Sequence, residues 1–202
     1  MINILLRTHN RPNGYNRILS QIRSQSYKDY RLFISADNQE TGEYVKASGE
    51  IPIMVNPPEG AALTYTPGLF YPNLYLNDLI EKTEEGYNWI IDDDDYLPDN
   101  DVLKTISENL APDKVAIFKM ESIYGVIPQE PFWEQIAEGN VGSPNFVVPT
   151  KTAKKIKWTD SSVGDYLYIK EIVNLIGEDN VVWVDKIIYC MDNPCQRGKS
   201  EC

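Results

Sequence analysis

The chain has 202 residues, 42% of them hydrophobic and 11% aromatic, enough for the core of one domain over residues 1–202. A formal net charge of −11 excludes a general affinity for nucleic acid or anionic membrane surfaces, because no surplus of Lys and Arg exists to neutralise phosphate. No apolar window approaches the ~18 residues of a transmembrane helix, the N-terminus lacks a signal peptide's basic and apolar regions, and Cys190, Cys195 and Cys202 suit free thiols, so a soluble, cytoplasmic protein is expected.

Ile2 to Arg7 reads as a buried strand. Tyr15 to Ser26 follows as a helix, with Tyr15, Ile18, Leu19 and Ile22 at helical spacing. Arg31 to Ala36 and Ile51 to Val55 are the next strands, and a Pro- and Gly-rich loop spans Pro57 to Pro72. Asn73 to Glu84 carries Leu74, Leu76, Leu79 and Ile80, an amphipathic helix. Asn88 to Ile91 is a strand running into four consecutive aspartates, Asp92 to Asp95.

Pro98 to Leu110 is expected to be a helix with an acidic first turn, which suits its dipole. Val115 to Met120 is a strand, and Asn145 to Val148 a short apolar segment. Asp165 to Ile176 is a helix stopped at Gly177, and Val181 to Ile188 the last strand. A tail is expected from about residue 190. Strands alternating with helices predict an α/β sandwich, Rossmann-like, around a mostly parallel sheet.

Ligands bind outside the carboxyl ends of strands in such sheets. Three polar clusters fall there: Thr8-His9-Asn10-Arg11, Asp37-Asn38, and Asp92 to Asp95. Four adjacent carboxylates stay ionised together only when solvent or a cation screens them, and hard oxygen ligands at a fixed edge suit Mg²⁺ or Mn²⁺. The same run also reads as a solvated acidic turn. An EF-hand loop starting at Asp92 would need Gly and Glu where Leu97 and Leu103 stand. A P-loop is excluded because Gly198-Lys199-Ser200 has Asn193 where its first Gly belongs. Aromatics gather at Tyr65 to Tyr75 and at Phe132-Trp133, where either sugar rings or a core could pack.

These segments together resemble the GT-A fold glycosyltransferases, in particular the inverting family 2. Ile4-Leu5-Leu6-Arg7-Thr8-His9-Asn10-Arg11-Pro12 is similar to that family's opening strand and its T-[YH]-N-R-P turn. Gln25-Ser26-Tyr27-Lys28-Asp29-Tyr30 resembles its Q-[ST]-Y-x-[ND]-[FY] segment, and Asp37-Asn38 the end of V-D-D-[GN]-S. Asp92 to Asp95 with Pro98 resembles D-x-D-D-x-x-x-P, which contains the D-x-D motif. Asn140 to Val148 is similar to the acceptor-side segment, and Gly164-Asp165-Tyr166 falls where the family has [ED]-D-[WYF].

The resemblance implies a metal-dependent transferase. It would move a sugar from a UDP-, GDP- or dTDP-sugar to a glycan or other hydroxyl acceptor, as in polysaccharide or glycan biosynthesis. Asp94 would be the direct ligand of Mn²⁺ or Mg²⁺, with Asp92 on the donor ribose or the metal and Asp93 or Asp95 in support. Thr8, His9, Asn10 and Arg11 would line the nucleotide site, and Asp37 would accept from a base N–H. Asp165 would be the general base, although its place after Gly164 equally suits a helix N-cap.

Two departures stand out. Ala36 occupies the first aspartate of V-D-D. Tyr189-Cys190-Met191-Asp192 stands where many members carry a late metal-binding histidine, which makes Asp192 an alternative oxygen ligand. Two other functions stay open. A sugar nucleotidylyltransferase shares the architecture but needs a G-x-G-x-R loop where Thr8 to Pro12 lies. A non-catalytic carbohydrate- or nucleotide-binding protein could use the same fold.

Overall fold

Strands buried on both faces read as mainly apolar runs, and β1 (Ile2–Arg7) is buried at every position and apolar at all but Asn3 and Arg7. Its period of two splits the core. Ile2, Ile4 and Leu6 join one apolar cluster, while Leu5 joins the other. This computed structural model describes residues 1–56, 68–122, 125–131 and 133–191.

The remaining elements are α1 (Pro12–Ser24), β2 (Tyr30–Ala36), α2 (Gln39–Ala47), β3 (Pro52–Met54), α3 (Pro72–Lys82), β4 (Tyr87–Asp92), α4 (Val102–Asn109), β5 (Val115–Ser122), β6 (Gly125–Ile127), β7 (Phe146–Pro149), α5 (Thr150–Ala153), α6 (Gly164–Ile176) and β8 (Val181–Cys190). The sheet order is β3-β2-β1-β4-β7-β5-β6, with β8 beside β5. β3, β2, β1 and β4 are mutually parallel, and β8 is parallel to β5. β7 runs antiparallel to both β4 and β5, and β6 antiparallel to β5.

Tyr15, Ile18, Leu19 and Ile22 of α1 and Val102, Leu103 and Ile106 of α4 cover one face of the sheet. Leu76, Leu79 and Ile80 of α3 and Ile169, Ile172 and Val173 of α6 cover the other. The expected α/β sandwich is therefore present.

Several elements differ from the sequence reading, the short β6 and α5 among them, for which it has no counterpart. The helix expected at Pro98 starts only at Val102, with no acidic residue in its first turn. Buried Gln25 holds the preceding turn in another shape, donating to the Asp99 carbonyl at 2.7 Å and accepting from the Leu103 N–H at 3.0 Å. Helix α2 was not anticipated. Asn38 starts it, its side chain accepting from the Thr41 N–H at 2.8 Å.

Candidate active site

Parallel register gathers the site. Arg7 pairs with Ser35 of β2 on one side and Asp92 of β4 on the other, so the carboxyl ends of three strands stand side by side. The turn Thr8 to Arg11, Asp37 and the aspartate run all leave the sheet at this edge. Asn10 makes the turn with φ of 50, and its side-chain oxygen accepts from Asn38 Nδ2 at 3.1 Å.

The four aspartates have four different surroundings. Arg7 holds Asp92 at two points, Nε–Oδ1 2.7 Å and Nη2–Oδ2 2.8 Å. Asp93 is 2% exposed; its Oδ2 accepts from the Thr8 hydroxyl at 2.6 Å and its Oδ1 from Arg11 Nη1 at 2.9 Å. Burial still pushes its pKa up to about 6, against the pull of Thr8 and Arg11. Asp95 is buried against the Tyr189 hydroxyl and takes no part in a helix N-terminus. Asp94 is half-buried, with one oxygen 2.9 Å from Arg11 Nη1. Burial and then the charge of Asp92 raise its pKa.

Gly14 explains how the run packs so closely on α1. A Cβ there would stand 2.5 Å from the Asp93 carbonyl oxygen. From the far side, the Tyr189 hydroxyl accepts from the Asp92 N–H at 2.9 Å. Tyr96 and Cys190 exchange two backbone hydrogen bonds of 3.0 Å, bringing the end of β8 to the aspartate turn. Asp192, two residues further on, lies outside the described residues.

His9 and Asp37 form a pair. Nδ1 of His9 donates to both Asp37 oxygens, at 2.8 and 2.9 Å, because a carboxylate can only accept. Tyr75 donates to the same carboxylate at 3.1 Å, and Asn38 Nδ2 does so at 3.1 Å. The Asp37 side chain is 4% exposed. The sequence reading has Asp37 facing a base N–H; here its oxygens already serve three side chains of the fold.

Asp165 lies in the first turn of α6 and is not the N-cap, a place held by Val163. The Ser143 N–H donates to Asp165 Oδ2 at 3.2 Å. Burial raises the Asp165 pKa, opposed by the positive charge of Arg7. Arg7 thus acts on both Asp92 and Asp165. Its Nη1 donates to Asn73 Oδ1 at 2.8 Å, and Asn73 Nδ2 donates to the Ser161 carbonyl at 2.9 Å, on the loop before α6. A Cβ on Gly164 would collide with Asn73 Nδ2, so glycine there lets this link close.

Arg7, Asn73, Tyr75 and Tyr189 are absent from the sequence-derived site. Arg7 carried a signal, as the one charged residue in a strand buried throughout. Tyr75 stands in the aromatic cluster and Tyr189 in the stretch that replaces the late histidine, but neither pattern names a partner, and Asn73 reads as an ordinary helix position.

The carboxylates can be weighed as metal ligands. Among the described residues no cluster of three His, Cys, Asp or Glu could hold an ion. Asp92 and Asp93 have both oxygens engaged, which leaves Asp94. Mg²⁺-type sites are commonly completed by one or two carboxylates plus substrate phosphates. The donor set fits an ion shared with a diphosphate, and does not fit a cage built by the protein alone.

No protein-family model and no curated protein matches the sequence. Solved structures do. TarS from S. aureus (residues 1–349) superposes with a TM-score of 0.68 at 17% identity, over 96% of this chain and 60% of that one. It has also been crystallised with UDP-GlcNAc and with UDP. The mannosyltransferase PcManGT from Pyrobaculum calidifontis, in complex with GDP-Man and Mn²⁺, gives 0.64 at 14% identity, over 96% and 57%. Glucosyl-3-phosphoglycerate synthase from Mycobacterium tuberculosis, in complex with phosphoglyceric acid, gives 0.63 at 15% identity, over 100% and 75%. The chain has the GT-A fold of these glycosyltransferases, and spans about 60% of the TarS chain it matches.

Proposed function

We propose that this protein is a glycosyltransferase that moves a sugar from a nucleotide-diphosphate donor to a hydroxyl acceptor, with inversion at the anomeric carbon. The observation that carries this reading is the place of Arg7. Its guanidinium pairs with Asp92 at the end of β4, reaches the loop before α6 through Asn73, and its charge acts on Asp165 at the start of α6. A donor-side carboxylate and an acceptor-side base would then face one reacting centre. The solved structures with UDP-GlcNAc, GDP-Man and Mn²⁺ support a nucleotide-sugar donor and a divalent ion.

On this reading Asp94 would hold Mn²⁺ or Mg²⁺ for the protein, the rest of its ligands coming from the donor. The ion would neutralise charge on the leaving diphosphate. Arg11, partly exposed and 2.9 Å from both Asp93 and Asp94, is close enough to contribute a second positive charge there. Thr8, His9 and Asn10 line the nucleotide side. Asp37 fixes His9 in place, and Asp93 fixes Thr8 and Arg11.

Asp165 removes the acceptor hydroxyl proton as that oxygen bonds to the anomeric carbon. The bond from that carbon to the diphosphate breaks, and the nucleoside diphosphate leaves with its electron pair. A carboxylate with a raised pKa is a stronger base than a free one, which suits this step.

The test is thermal stabilisation by UDP, GDP, dTDP and their sugars, with and without Mn²⁺. Metal-dependent stabilisation by one nucleoside diphosphate, together with slow release of nucleotide from its sugar, is expected. No shift with any nucleotide in the presence of Mn²⁺ overturns the proposal.

A further inference from the structure

Phe70 is 46% exposed, although its ring lies against the partly buried Arg7–Asp92 pair. The Arg7 Cζ is 5.6 Å from its centroid. The guanidinium nitrogens hold Asp92 and Asn73, and the group lies over the Phe70 ring, which keeps much of its own surface in solvent.

Its backbone is fastened to the acceptor side. Leu69 bridges Ser161, the Phe70 N–H donates to the Asp160 carbonyl, and the Ser162 N–H donates to the Gly68 carbonyl at 3.1 Å. Residues 160–162 lead directly into Gly164 and Asp165. An apolar ring is therefore held against Arg7 and against the loop that leads into Asp165.

The charges there narrow the ligand. Asp92 and Asp165 both draw on Arg7, leaving the three groups with one net negative charge. An anionic acceptor would meet that charge. A neutral sugar would meet an aromatic surface for its C–H face and a carboxylate for its hydroxyl.

We propose that Phe70 is the platform on which a pyranose ring of the acceptor packs, and that the acceptor is a neutral glycan; this rests on the transferase reading above. Phe70 is tied to Asp160, in the loop that runs into Asp165, so a sugar packed on its ring would lie beside the loop that carries the base.

Saturation-transfer NMR on the full chain with Mn²⁺ and UDP, GDP or dTDP tests the proposal. The acceptor probes are the methyl pyranosides of glucose, galactose and mannose, with phosphoglycerate and glycerol phosphate as anionic rivals. The expected result is transfer to ring C–H protons of at least one pyranoside. Phe70→Ala should weaken that pyranoside about tenfold and Phe70→Tyr should retain it, both with unchanged nucleotide affinity. Equal pyranoside binding by Phe70→Ala overturns the proposal. So does nucleotide binding without any pyranoside, or binding of the phosphorylated probes instead. Absence of nucleotide binding to the wild type overturns the transferase reading itself, and this proposal with it.

Discussion

Arg7 and Asp92 are 85 residues apart, face each other in the parallel register of β1 and β4, and close a two-point ion pair at 2.7 and 2.8 Å. The Arg7 side chain is 10% exposed, so water screens the pair poorly. The same guanidinium reaches the loop before α6 through Asn73. It joins two strand ends and one helix start.

Arg7→Met should therefore cost about 2–4 kcal/mol, most of it from leaving Asp92 partly buried without its partner. Arg7→Lys should recover only part, since an ammonium cannot reproduce the two-point fork. The double variant Arg7→Met, Asp92→Asn should be more stable than Arg7→Met alone. Urea denaturation of the wild type, these three variants and Asp92→Asn alone reads all of this. A fully additive pair would show that the contact carries no coupling.

The aspartates should separate by function. Asp94→Ala should abolish Mn²⁺-dependent stabilisation by the nucleoside diphosphate. Asp92→Asn should weaken it several-fold at most, because both Asp92 oxygens already serve Arg7. Thermal shift with a Mn²⁺ titration measures both. The reverse order would make Asp92 the metal ligand.

Asp165 works as a base only when ionised. Burial raises its pKa and Arg7 opposes that rise. The transfer rate should fall as pH drops through the raised pKa, on an acid limb above the ~3.9 of a free aspartate. Arg7→Met should move the limb higher still. Stability runs the other way. A carboxyl with a raised folded pKa binds its proton more tightly when folded, so its contribution is full below ~3.9 and is lost as pH rises through the folded value. Asp165→Asn should remove that slope and the transfer together while nucleotide binding persists. Rate and denaturation profiles against pH decide it; an acid limb unmoved by Arg7→Met would disconnect Asp165 from Arg7.

The fold was largely legible because its signals are local. β1 appears as Ile2 to Arg7 in the sequence and in the structure, and α6 stops at Gly177, whose φ of 86 suits a residue without Cβ. Helix α2 was harder to see. Its buried face is short, Thr41, Gly42 and Val45, so hydrophobic periodicity is faint and its one clear mark is the Asn38 cap.

Where a site could form is already visible in the order of residues: polar clusters directly after apolar strands, at Thr8 to Arg11, Asp37 and Asp92 to Asp95. That inference needs only strand period and chain direction, both written locally. Only the tertiary structure decided what each carboxylate does. Asp92 is held by Arg7, Asp93 by Thr8 and Arg11, and Asp37 by His9, Tyr75 and Asn38, while Asp94 keeps a partly exposed side chain. Four identical residues in a row differ only through partners that strand register and helix packing bring from far along the chain, and no local pattern encodes those.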